Sequence, residues 1–158
     1  MNLLAKLLGF ARPVPKAQSE LEVLTAPFAW VVEGNRATGT YEGRAVEVWQ
    51  TFEEIRVMTY VKIAHRGDVS ALAASLETEP SLHRKTAMLL AATGQAHAPT
   101  FVDHFAEVTL ASREHVLCRV RYVHDAEALR RLLEALACTC MALERAGDGE
   151  DESPHGAC

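Results

Sequence analysis

Gly39-Thr40-Tyr41-Glu42-Gly43-Arg44-Ala45-Val46-Glu47-Val48-Trp49, continuing into Arg56-Val57-Met58-Thr59-Tyr60-Val61-Lys62-Ile63, is the stretch that decides the fold. Apolar and polar residues alternate on both sides of Glu42-Gly43, and a hairpin loop of two residues wants a glycine that accepts positive φ. That turn sets Gly39 opposite Val46 and Ala37 opposite Val48. Glu53-Glu54 is read as the next turn, pairing Val48 with Thr59, Val46 with Val61 and Trp49 with Met58. Val46, Val48, Val57, Val61 and Ile63 then share one face, which a one-residue slip would scatter. The other face carries Arg36, Glu47, Trp49, Met58 and Tyr60, which is aromatic for a face expected to meet solvent.

A second hairpin runs from His104 to Leu110 and returns as Val116 to Val123. With Ala111 to His115 as a five-residue loop, Leu110 faces Val116, Val108 faces Cys118 and Ala106 faces Val120. Every one of these pairs is apolar. The same register puts Glu107 opposite Arg119 on the other face, as a cross-strand ion pair. Upstream, Phe28 to Glu33 reads as a first strand, and Gly34-Asn35 as a turn or a bulge.

Helical spacing replaces alternation between the hairpins. Val69, Leu72, Ala73 and Leu76 fit one short helix. A second, opened by Pro80, carries Leu82, Met88, Leu89 and Ala92 and stops at Gly94. Asp125 caps a last helix through about Arg145, where Leu129, Leu132, Leu133, Leu136, Cys140 and Leu143 recur at helical spacing. Burying each leucine is worth roughly 1.5–3 kcal/mol, so this stripe is expected to seal one face of the sheet. Residues 148–158 read as an acidic, disordered tail.

At the other end, Leu3, Leu4, Leu7, Leu8 and Ala11 share one helical face, with Lys6, Arg12 and Lys16 adding positive charge. Such a helix could lie on a membrane surface, dock on its own domain or pack on a partner. Pro13 and Pro15 are read as its end, and residues 12–26 as a linker. The resulting organisation is an N-terminal helix and linker (1–26), a single α+β domain (27–147) and the tail.

The chain has 158 residues, 49% hydrophobic and 23% charged, ordinary for one soluble domain. Its many alanines, and arginines in excess of lysines, suit a GC-rich bacterial genome. Asp148, Glu150, Asp151 and Glu152 carry four of the five net negative charges, so residues 1–147 hold −1. A nearly neutral body argues against nucleic acid as partner. No run approaches the ~20 apolar residues of a membrane span. Cys138 and Cys140 point to different faces of a helix, Cys118 lies in an apolar strand and Cys158 in the polar tail. No bridging or ligand spacing results, so reduced thiols in the cytoplasm and no structural metal are expected.

Candidate chemistry is sparse. His97, His104 and His115 cannot converge if they sit at opposite ends of a strand of about six residues, ~20 Å long. Asp103-His104 lacks an adjacent nucleophile, and Glu53-Glu54 reads as a solvated turn. Ser70, Ser75, Ser81 and Ser112 stand in no nucleophile elbow. Arg119, Arg121, Arg130 and Arg131 could form an anion patch, although Glu107 and helix solvation account for most of that charge. The strongest candidate surface is Arg36, Trp49, Met58 and Tyr60, which Leu3, Leu4, Leu7 and Leu8 could cover.

Gly39-Thr40-Tyr41-Glu42-Gly43-Arg44-Ala45-Val46-Glu47-Val48, with Thr93-Gly94 and Phe101…Phe105 downstream, resembles an uncharacterised bacterial domain of G-x-Y-x-G-R-x-V-x-V…T-G…F-x-x-x-F pattern, which implies no activity. Val102 stands where that pattern has Asp. The element order, with Asp125…Leu129…Leu132…Leu133…Leu136 in the last helix, is similar to that of the small dimeric chaperones of type III secretion. That resemblance implies an effector-binding surface on the sheet and a dimer; the proline-rich gap before the first strand departs from it.

The sequence therefore predicts an α+β domain with an antiparallel sheet of about five strands and a long C-terminal helix packed on one face. The expected role is a non-enzymatic cytoplasmic adaptor or chaperone-like module that binds another protein, its own copy included, and uses no cofactor. A peripheral inner-membrane protein held by residues 1–12 is the alternative, and a small enzyme the third.

Overall fold

A computed structural model describes residues 14–93 and 107–147. In chain order the elements are α1 (Val14–Thr25), a single 3-10 turn (Ala26–Phe28), β1 (Val31–Glu33), β2 (Arg36–Tyr41), β3 (Arg44–Glu53), β4 (Arg56–Ala64), α2 (Ser70–Glu77), α3 (Leu82–Ala92), β5 (Glu107–Ser112), β6 (His115–Arg121) and α4 (Ala126–Gly147). The strands form one antiparallel sheet of six, in the order β1-β2-β3-β4-β6-β5.

Alternation divides the sheet into two faces. Ala37, Val46, Val48, Val61, Ile63, Val108, Val116, Cys118 and Val120 point to the inner face and are buried in one cluster with Leu21 and Leu24 of α1, Leu89 of α3 and Leu129, Leu132, Leu133, Leu136, Cys140 and Leu143 of α4. Asp125 caps α4 by accepting the Ala128 N–H at 2.7 Å. Ser81 caps α3 by accepting the Arg84 N–H.

Several hairpin assignments hold. Glu42 and Gly43 form the β2–β3 turn, both with positive φ, and Gly39 faces Val46 while Ala37 faces Val48. Gly34-Asn35 is a turn. Glu107 faces Arg119, Val108 faces Cys118 and Leu110 faces Val116. The loop beyond is not five residues long, because Ser112 pairs with His115 and a bulge at Ala111 absorbs the odd residue.

Other assignments are corrected. The β3–β4 turn is Glu54-Ile55, so Val48 pairs with Val61, Val46 with Ile63 and Trp49 with Tyr60. Glu53 is held by side chains of the sheet, which removes it from the turn. The register error is two residues, so every side chain keeps its expected face. Residues 14–25, expected as linker, are helix, because a proline in the first turn gives up an N–H that has no helical acceptor. Leu21 and Leu24 extend the core back into that helix. The first strand is only Val31–Glu33: the chain turns at Ala29, φ 54°, and Phe28 and Trp30 fold back over β2. Trp30 lies on Gly39, where a Cβ would fall 2.0 Å from the indole, and its Nε1–H donates to the Thr40 carbonyl at 2.9 Å. Pro80 precedes α3 rather than entering it.

Edge strand β5 is closed by a side chain. The Thr86 hydroxyl of α3 accepts the Val108 N–H at 2.8 Å and lies 3.2 Å from the Val108 carbonyl oxygen. The far end of α4 is fastened to the sheet. Arg44 donates to both carboxylate oxygens of Glu144 at 2.5 and 2.8 Å, and Glu144 also accepts the Arg66 N–H at 2.9 Å. Gly67 follows, where any Cβ would meet the Leu143 carbonyl at 2.7 Å.

Candidate functional site on the outer face of the sheet

Pairing across the sheet lines up one transverse row on the outer face. Glu33 lies opposite Arg36, Arg36 opposite Trp49, Trp49 opposite Tyr60, Tyr60 opposite Arg119 and Arg119 opposite Glu107. The Trp49 and Tyr60 rings stack with centroids 5.2 Å apart and planes 3° from parallel. The Arg36 guanidinium sits 4.7 Å above the Trp49 ring, a cation–π contact. Glu47, diagonal to the row, pairs with both Arg36 and Lys62.

The other half of the row is a polar cluster. Arg119 donates from Nη1 to Glu107 at 2.8 Å, from Nη2 to Glu53 at 2.6 Å and from Nε to the Tyr60 hydroxyl oxygen at 3.1 Å. The Tyr60 O–H donates to Glu53, as does the Thr51 hydroxyl. The Tyr60 bond, with Arg119, lowers the Glu53 pKa to about 2. Burial, then the bond to Glu53, raises Tyr60, and the bond to Glu53 raises Arg119. Each group is thus fixed in the charge state it already holds at neutral pH.

Arg36, Trp49 and Tyr60 are therefore brought together, with the two rings half-buried and Arg36 exposed. Met58 shares the face but is buried, opposite Thr51 and Arg121 rather than Trp49. Leu3, Leu4, Leu7 and Leu8 lie outside the described residues, as do His97, Asp103, His104, Ala106, Cys158 and the acidic tail. Arg119, Arg121, Arg130 and Arg131 do not make one patch: the first two lie on β6, while the others pair with Glu127 and, for Arg130, Glu134 along α4. Glu53 and Thr51 are the members that sequence reading missed; the signal was the parity of β3, which puts both on the face of Trp49.

A cleft of about 510 Å3 adjoins the Arg44–Glu144 pair, and one of about 440 Å3 lies beyond it between residues 64–70 and the β5–β6 turn. His65 lines the second cleft. Its Nδ1 accepts the Gly67 N–H at 3.2 Å, and burial lowers its pKa. Among the described residues no three His, Cys, Asp or Glu side chains are grouped to hold a metal, and no helix is long and apolar enough to cross a membrane. Cys118 and Cys140 are free and buried, whereas Cys138 is disulfide-bonded. The expectation of four reduced thiols is thereby corrected: helix spacing excludes a bond between Cys138 and Cys140 but is silent on a partner brought from elsewhere in the chain. No protein-family model, curated protein or solved structure matches this chain.

Proposed function

We propose that the protein is a non-enzymatic binding module, an adaptor or chaperone-like domain that holds a partner protein against the outer face of its sheet. The observation that carries this reading is the half-exposed Trp49–Tyr60 stack, set between ion pairs that are already satisfied. Protein interfaces concentrate their energy in aromatic and arginine anchors, ringed by polar groups that exclude water. The rim needs no net charge from its partner, because the three cations Arg36, Lys62 and Arg119 are balanced as a set by the three carboxylates they pair with, Glu47, Glu53 and Glu107. The matching surface on the partner is an apolar cluster that covers the two rings.

The test places a photo-crosslinking amino acid at Thr51, beside the stack, in the full chain expressed in its native host. An intermolecular adduct to one partner polypeptide, lost when Trp49→Glu is added, supports the reading. Trp49→Glu would bury a charge without a counter-ion at the contact. An adduct confined to residues 3–8 of the same chain would refute it, since the face would then be covered from within. Thermal unfolding of Trp49→Glu checks that the lost adduct is not lost folding.

A further inference from the structure

The two edges of the sheet are treated differently. At β5 a threonine from α3 occupies the outward N–H and C=O of Val108. Among the described residues, β1 pairs with β2 alone. Its turn, Gly34-Asn35, has two residues, so the flanking pair Glu33 and Arg36 exchanges both backbone bonds. Val31 likewise bonds toward β2. Val32 is then the residue of β1 whose N–H and C=O both point away from the sheet. Open edges of this kind are templates for another strand.

We propose that β1 is a self-association edge, where two copies of the chain join antiparallel about a two-fold axis at Val32. In that register the Val32 N–H of each chain meets the Val32 carbonyl of the other. Centring the pair there also gives the longest overlap, with Trp30 facing Gly34 at both ends. Shifted one step toward the turn, Glu33 would face its own copy and two like charges would meet. Centred on Val32, each Glu33 faces the other chain's Val31 on the outer face. An exposed apolar side chain lies at this edge, Val31 itself, 60% exposed. The interface is isologous, as a closed dimer requires. It makes one continuous sheet from two six-stranded ones and leaves both outer faces free.

Analytical ultracentrifugation of the full chain and of variants at Val31 tests this. The wild type should dimerise. Val31→Lys should tighten the dimer about tenfold, because it gives Glu33 of the other copy a counter-ion twice per dimer. Val31→Glu should weaken it by a similar factor, and adding Glu33→Lys to Val31→Glu should restore it. Val31 is exposed, so the folded monomer tolerates either charge, which circular dichroism verifies. A monomeric wild type at the highest soluble concentration, or a dimer that responds equally to Lys and Glu at position 31, overturns the proposal. A dimer abolished by Trp49→Glu but indifferent to both Val31 variants also overturns it, and moves self-association to the outer face.

Discussion

Replacing Glu144 by glutamine tests how the C-terminal end of α4 is held. The carboxylate accepts three bonds, two from Arg44 and one from the Arg66 backbone, and joins residues 100 positions apart. The Arg44 and Glu144 side chains are only 16% and 24% exposed, so solvent screens the pair weakly. Hydrogen bonds to charged groups contribute about 1.5–3 kcal/mol net. Glutamine keeps one acceptor oxygen but leaves the Arg44 charge half-buried without a counter-ion, so a loss of about 2 kcal/mol is expected. For a chain of this length that corresponds to a melting temperature lower by about 4–8 °C. The Arg44 bonds hold the Glu144 pKa below its ordinary value of 4.5. Its contribution is therefore complete above that value and is lost as pH falls through the lower, folded-state value. The assay is thermal and urea unfolding of wild type, Glu144→Gln, Arg44→Met and the double variant, between neutral pH and pH 3. A coupling energy below about 0.5 kcal/mol, or the same acid sensitivity in all four proteins, would refute the reasoning.

Thr86→Val should destabilise the fold by about 1–3 kcal/mol in urea unfolding and promote aggregation, because the outward groups of Val108 lose the hydroxyl that meets them at that edge; Thr86→Ser should restore both. In carbon-detected NMR titration Glu53 should titrate near 2, and Tyr60→Phe should raise that value. The stabilisation from Glu53 is thus complete above 4.5 and fades as pH falls toward 2. His65, kept neutral by burial, binds a proton less readily folded than unfolded, so stability should fall as pH drops below 6.5, and His65→Gln should flatten that dependence. Under native conditions Cys118 and Cys140 should resist alkylation, since both are buried and burial pushes the Cys140 thiol up to about 12; Cys138 should become reactive only after a reductant is added.

What could be read in advance depended on how local the deciding contacts are. Glu42-Gly43, the stripe on α4 and the Glu107–Arg119 pair are written in neighbouring residues or in simple alternation. The β3–β4 turn was misplaced because an acidic pair suits a turn better than Ile55, which is 82% exposed there. What displaces Glu53 from the turn is Arg119, 66 positions away, and no local pattern announces that contact. Pro13 and Pro15 carry the pattern of a helix end, although the second of them lies inside the first turn of α1. The aromatic face was legible from parity alone, which an even register shift leaves untouched. Burial of Met58 on that face was not, since it depends on which side chains flank it across three strands.

The indole of Trp30 over Gly39 works as a key in a keyhole. Sliding β1 and its preceding turn along β2 by two residues, the smallest step that preserves the faces, would bring Ala37 or Tyr41 beneath the ring. Neither leaves the vacant space that the missing Cβ at position 39 provides. The anchoring bond from Nε1 to the Thr40 carbonyl would be lost in the same step. The two-residue turn at Gly34-Asn35 sets the same alignment from the other end of the strand. Here a single absent methyl group makes the alignment discrete: the strand either seats in one place or leaves its tryptophan in water. Whatever meets this edge of the sheet therefore encounters β1 in one fixed position.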